Sequence, residues 1–177
     1  GRAGADLDSI DLEAARENGV AVVNSPNANS VAVAEHTFAL MLALVRRLPT
    51  ANSSLKDNRW GKKSLMGTGI AGKTLGLVGF GKISRQVASR ALAFGMTVQV
   101  AQRRVTPEKN AKFGVETVDL KTLFSTSDFI SLHIPGKPEN IDFVGAELLS
   151  YMKHTAYIIN TAQGIIMDEA ALLDALK

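Results

Sequence analysis

The residues best suited to chemistry begin at Gly79-Phe80-Gly81. Four apolar residues, Leu75 to Val78, precede them, and a helical pattern from about Lys82 to Phe94 follows. A continuous apolar run reads as a strand buried on both faces, as in a parallel sheet. The turn delivers the chain to a helix N-terminus, where backbone N–H groups and the positive dipole end suit a diphosphate. Gly79 permits the tight turn and Gly81 lets a phosphate approach the backbone, which is the logic of a dinucleotide site. Ser84 stands where the GxGxxG pattern has its third glycine. It adds a side chain at a tight helix–strand contact and is expected to set the helix slightly further out. An ordinary strand–turn–helix carries the same residues; the second strand at the right distance favours the dinucleotide reading.

That second strand, Met96 to Ala101, ends at Gln102. Dinucleotide folds place an Asp or Glu at this point, about 20 residues past the glycines, to hold the adenosine ribose. Gln102 is neutral, and Arg103 and Arg104 follow it. A carboxylate would bind the ribose hydroxyls and repel a 2′-phosphate, whereas a neutral residue followed by two cations attracts that phosphate. The pattern favours NADP over NAD; two solvated arginines on a loop are the alternative.

Two further stretches can reach a ligand. His133 lies near the end of the apolar run Asp128 to Ile134, closed by Pro135, and open α/β sheets bind ligands at that edge. It packs beside the ligand or acts in catalysis, and no carboxylate partner is near it in sequence. Thr161 to Gly164 form a loop at the end of the strand Ala156 to Asn160. His36 lies on a helix with no second His, Cys or carboxylate cluster at ligand spacing, so a structural role is favoured and no metal site is expected. Trp60, the one tryptophan, reads as a core or interface anchor.

The elements that must position these residues follow from pattern. Among 177 residues 46% are hydrophobic and 21% charged, which suits a globular core rather than disorder. The net charge of +3 is mild and the cations are scattered, so no nucleic-acid surface is indicated. There is no cysteine, which excludes disulfides and thiolate metal sites and fits a reducing, cytoplasmic compartment. No signal peptide is visible. The longest apolar run, Phe38 to Val45, falls far short of the ~20 residues of a membrane span.

Asp11 to Asn18 reads as a short helix stopped by Gly19, and Val20 to Val23 as a short buried strand. Ser30 is placed to cap a long helix reaching Leu48 before Pro49, apolar nearly all round after Phe38 and therefore buried between two bodies. Ala51 to Ala71 starts helical and becomes an extended arm. Thr106-Pro107 opens a polar connection to an edge strand, Gly114 to Asp119. Helices follow at Leu120 to Thr126, Gly145 to Met152 and Asp168 to Leu176. Five strands with helices between most of them predict an α/β fold, a Rossmann-type doubly wound parallel sheet. The chain lacks an initiator Met and stops inside a helical pattern, so it reads as a piece of a longer protein.

Phrases along nearly the whole chain resemble the D-isomer-specific 2-hydroxyacid dehydrogenases, nearest their phosphoglycerate dehydrogenase branch. They are GRAGADLDSIDLEAA from Gly1, VVNSPNANSVAVAEHTFALMLAL from Val22, WGKKSLMGTGIAGKTLGLVGFGKIS from Trp60, AFGMTV from Ala93, SDFISLHIP from Ser127 and NTAQGIIMDEAALLDAL from Asn160. The resemblance implies hydride transfer between NAD(P) and a small 2-hydroxy or 2-keto acid. It implies the end of a truncated flavodoxin-like substrate domain in residues 1–30. Residues 31–70 would be a linking helix and homodimerisation arm, and residues 71–177 a Rossmann domain lacking its last strands. The diphosphate would lie on the amides of Phe80, Gly81, Lys82 and Ile83. The adenosine pocket would include Gln102, Arg103, Arg104, His133, Ile134 and Pro135, and Thr161 and Ala162 would face the nicotinamide.

Three departures bear on the chemistry. Gln163 stands where the family carries a catalytic arginine, which holds the substrate carboxylate and polarises its carbonyl. Glutamine forfeits that charged, bidentate contact. After Gly4, whose loop meets the substrate carboxylate in the family, come Ala5 and an anionic Asp6 that would repel it. The family's Glu and His lie downstream of Lys177. These departures leave a binding module or sensor without turnover as the alternative, and these 177 residues alone are expected to be inactive.

Overall fold

The computed structural model describes residues 1–4, 7, 9–26, 28–103 and 107–177. Among them, five strands form one parallel sheet: β1 (Thr74–Val78), β2 (Thr97–Ala101), β3 (Glu116–Thr117), β4 (Phe129–Leu132) and β5 (Tyr157–Asn160). Their spatial order is β3-β2-β1-β4-β5, and every pairing is parallel. The chain winds outward from β1 to β3 and then crosses back to place β4 on β1's other side. The expected doubly wound sheet is present.

The strands form where apolar runs can be covered on both faces. Leu75 and Leu77 join Phe129 and Val98 in a core with Phe38 and Met41 of α2 (Ser30–Val45) and Val87 and Ala91 of α4 (Lys82–Ala93). Val78, Ile130 and Leu132 face a second core with Leu123 and Phe124 of α6 (Leu120–Thr126), Leu149 of α7 (Ala146–Ser150) and Leu172 of α8 (Glu169–Ala175). Gly76 is bare for a steric reason: a Cβ there would collide with Leu123 and the Ser127 hydroxyl, so α6 packs flush on β1. Ser84 is fully buried in α4, and its hydroxyl has no hydrogen-bond partner among the described residues. Carboxylates start three helices: Asp11 accepts from the Ala14 amide ahead of α1 (Leu12–Glu17), Asp119 from Thr122 ahead of α6, and Asp168 from Ala171 ahead of α8.

Asp128 ties the lower edge of the sheet. Its Oδ2 accepts from the Thr74 amide at 2.9 Å and its Oδ1 from Lys153 Nζ at 3.1 Å. Burial alone would raise this carboxyl; the Thr74 amide and Lys153 outweigh it and hold the group below its usual range.

Several elements differ from expectation. Asn29, not Ser30, precedes α2, and no side chain caps it. The helix ends at Val45 rather than Leu48, because Arg47 turns left-handed (φ 52°) and Pro49 enters the first turn of a separate helix, α3 (Leu48–Lys56). Proline fits there because first-turn N–H groups have no helical partner. Nor is α2 buried all round: Val31, Leu40 and Leu44 are exposed. Val20 to Val23 form no strand, and both terminal valines are exposed; a single parallel bridge, Arg2 to Asn24, is the pairing beside them among the described residues. An apolar segment without covering neighbours has no reason to regularise. A short helix, α5 (Pro107–Ala111), occupies what reads as a polar connection, with proline at its first position. Trp60 is 77% exposed and so is no core anchor.

Among the described residues no helix is long and apolar enough to cross a membrane, and no group of His, Cys, Asp or Glu is arranged to hold a metal ion.

Candidate functional site

The glycine turn sits where the sheet order reverses, between the upper ends of β1 and β4. Gly79 has φ +90°, and a Cβ there would come 2.8 Å from the His133 carbonyl oxygen and 3.0 Å from Ile134 Cγ2. Conformation and close approach both require glycine. Gly81 differs: its backbone is extended (φ −83°), and an added Cβ would meet nothing within 4 Å. Neither strain nor packing demands glycine there, so the bare position leaves room for a ligand against the start of α4. The opening amides of a helix have no carbonyl one turn back to bond. This cradle fits a diphosphate. The Phe80 ring turns inward, edge-on to Phe113 at 5.6 Å with the Arg85 guanidinium over both rings, so only the backbone of Phe80 faces the turn.

Two cavities flank this point. One, about 830 Å³, has Val78 and Ala101 at its floor, Gln102 and Arg103 on one rim, and Lys137 and Glu139 on another. The other, about 600 Å³, is lined by Gly81 to Ser84, His133 and the loop Thr161 to Gln163, with Asn29 and Ser30 opposite. Ile134 and Pro135 border both. The Asn140 side-chain amide donates to the Pro135 carbonyl at 2.8 Å and fixes that shared wall. The larger cavity, beside the end of β2, suits an adenosine; the smaller suits a nicotinamide and a small acid.

His133 Nε2 lies 2.9 Å from Ser131 Oγ. Burial pushes its pKa from 6.5 down to about 4, so the ring is neutral at pH 7. A neutral ring beside the cavity packs and hydrogen-bonds, and it does not change charge between pH 6 and 8. Because the folded value lies below the unfolded one, the unfolded chain takes the proton first. Stability present above about pH 6.5 is therefore lost as pH falls toward 4, by up to roughly 3 kcal/mol. Urea denaturation at a series of pH values should show this loss, and H133Q should flatten it; parallel profiles for the two proteins would refute the assignment.

The loop after β5 is shaped by Asn160. Its Oδ1 accepts from the Ala162 amide at 2.9 Å and its Nδ2 donates to the Gln163 carbonyl at 3.0 Å. The Thr37 hydroxyl donates to the Val33 carbonyl at 2.9 Å, so the Thr161 hydroxyl, 3.0 Å away, donates to Thr37. Gln163 lies across Gly136: a Cβ on Gly136 would collide with the Gln163 amide. The smaller cavity therefore presents an uncharged amide.

Gly81, Lys82, Ile83, His133, Ile134, Pro135, Thr161, Ala162 and Gln163 converge on the smaller cavity, and Gln102 and Arg103 on the larger. Gly4 borders neither; its amide bonds Ser25 Oγ at 3.0 Å beside the Arg2 bridge. Ala5, Asp6 and Arg104 lie outside the described residues. Sequence reasoning missed Gly136, Asn140, Asn160, Lys137 and Glu139. An Asn at a strand end before a loop is an Asx-turn signal that marks Asn160; Gly136 and Glu139 act through contacts distant in sequence, and Asn140 through a bond to Pro135 that no residue pattern announces.

A parallel sheet in this order, with a glycine turn at its switch point and a cavity on each side, defines a Rossmann-type nicotinamide-dinucleotide domain. The chain belongs to the D-isomer-specific 2-hydroxyacid dehydrogenases: residues 38–177 match the family model for their NAD binding domain. A D-3-phosphoglycerate dehydrogenase from Synechocystis is 47% identical over the whole chain. The chain spans about a third of the length of such curated relatives, 32% in that case. The apo-structure of D-lactate dehydrogenase from Escherichia coli superposes with a TM-score of 0.90 at 36% identity, covering 99% of this chain and 56% of that one. An acyclic imino acid reductase in complex with NADPH and D-Arg gives a TM-score of 0.85 at 35% identity, covering 98% and 55%.

Proposed function

We propose that these residues form the cofactor-binding part of an oxidoreductase that moves a hydride between NAD(P) and a small D-2-hydroxy or 2-keto acid, on the pattern of the phosphoglycerate dehydrogenases. The observation that carries this reading is the open space at Gly81, on the start of α4 and in the smaller of two cavities that share Ile134 and Pro135. The reduced cofactor, when bound, supplies the hydride. The α4 amides hold the diphosphate, Ile134 and Pro135 separate its two halves, and Thr161 and Ala162 face the nicotinamide. Gln163 donates one neutral hydrogen bond to the acid. His133, neutral and bonded to Ser131, orients the pocket and exchanges no proton at pH 7. Proton exchange needs a group that none of the described site residues supplies, so turnover is assigned to a protein that carries one beyond these 177 residues. The comparisons lend no support to a binding module without turnover.

The same reading divides the chain at residues 30 and 70 into the end of a substrate domain, a linking arm and the cofactor domain. Leu40, Leu44, Leu48, Trp60 and Met66 are exposed along the arm and form the face of a homodimer. Sedimentation should show a dimer that L44D converts to monomer; a monomeric unaltered chain would overturn this assignment.

Arg103 at the end of β2 favours NADPH over NADH, as does Arg104 by sequence. Fluorescence titration with each dinucleotide tests the cofactor reading. NADPH should bind more tightly than NADH, and R103A should weaken NADPH about tenfold with little effect on NADH. An NADH preference would remove the arginine argument; binding of neither dinucleotide would remove the proposed function.

A further inference from the structure

Gln102 leaves the adenosine site without the carboxylate that ordinarily meets the ribose, yet the cavity beside it holds two others, Asp119 and Glu139. Asp119 is committed. Its Oδ1 accepts from the Thr122 amide at 2.8 Å and its Oδ2 from the Thr122 hydroxyl at 2.9 Å, so both oxygens cap α6. Glu139 stands on the 3-10 turn Pro138–Asn140, in the β4–β5 connection. Its Oε1 is 3.8 Å from Arg103 Nη1, which follows Gln102 directly. That separation is longer than a hydrogen bond, and both side chains are about half exposed or more. Such pairs contribute little and open readily. Glu139 thus holds its carboxylate beside the Arg103 guanidinium, in the cavity that the end of β2 also lines.

We propose that Glu139 replaces the missing β2 carboxylate as the reader of the adenosine ribose, and that the Arg103–Glu139 pair selects between the two cofactors. With NADH, the Glu139 carboxylate accepts from the ribose 2′-hydroxyl. With NADPH, the 2′-phosphate takes Arg103 from Glu139, with Lys137 on the same rim, while the Glu139 charge opposes the phosphate. Arg103 and Glu139 pull in opposite directions, and the unaltered chain accepts both dinucleotides with modest preference. The selector rests on the dinucleotide reading above, but the turn at Gly81 does not require it.

Calorimetric titration of the chain with NADPH and NADH tests it directly. E139Q should tighten NADPH and weaken NADH, moving the affinity ratio toward NADPH by about tenfold. E139A should move it the same way, and both should melt as the unaltered chain does, since Glu139 is outside both cores. Raised salt should shrink the effect on NADPH. Binding of both dinucleotides with an unchanged ratio in the two variants overturns the selector and leaves the dinucleotide site standing. Binding of neither by the unaltered chain overturns the site and the selector together.

Discussion

Replacing Gly81 with valine should abolish dinucleotide binding, by at least about a hundredfold, without unfolding the domain. The backbone there is extended and open to any residue, and a Cβ meets nothing within 4 Å. The cost in stability is limited to a poorer helix start, since glycine is a better N-cap than valine, and is about 1 kcal/mol at most. G81S sharpens the test. Serine is a good cap, so the protein should melt no lower than the unaltered chain, yet its side chain still enters the space required by the diphosphate. Gly79 supplies the contrast. At φ +90°, with the His133 carbonyl 2.8 Å from the would-be Cβ, G79A should destabilise by at least ~2 kcal/mol and lose binding through the fold. Calorimetry and thermal melts of the three variants separate the cases. Tight binding by G81V would mean that the ligand lies elsewhere.

Exchanging Gln163 for arginine should raise kcat/KM for a 2-keto acid on the order of a hundredfold in the protein that carries these residues. Gln163 presents an uncharged amide over Gly136, and the bare glycine gives a longer side chain a path across the cavity of about 600 Å³. A guanidinium there makes two charge-assisted bonds to a carboxylate where the amide makes one neutral bond. The gain should appear with acids such as glyoxylate and be absent for an aldehyde of similar size, while cofactor affinity stays unchanged. Equal rates for Q163R and the unaltered protein would show that substrate carboxylate is held by other groups.

The sheet was legible because each buried parallel strand is a short apolar run of its own: TLGLV, TVQVA, FISL and YIIN all appear as strands. Gly79 was legible because its left-handed backbone limits which residues can turn there, and Gly81 because a bare position at a helix start leaves room for a phosphate. The break after Val45 was not, since the left-handed Arg47 carries no glycine or asparagine to announce it. Val20 to Val23 misled because apolarity alone makes no strand without a neighbour. At the site, single positions could be read and pairs could not. Gln163 was identifiable, but its seat on Gly136 joins two loops, and Glu139 meets Arg103 only because β2 and the β4–β5 connection rise to one cavity. Contacts of that kind are made by topology and leave no local pattern.

Strand β4, beside the central β1, carries an acid-sensitive group just outside each end, Asp128 below and His133 above. In the folded chain His133, bonded to Ser131 at the ligand edge, is charged only as pH nears about 4. Asp128 holds its proton off to below the usual 3.8, so the clasp to Thr74 and Lys153 fails only in stronger acid. Acid therefore unbuttons this sheet along one strand, from the ligand mouth toward the far hem.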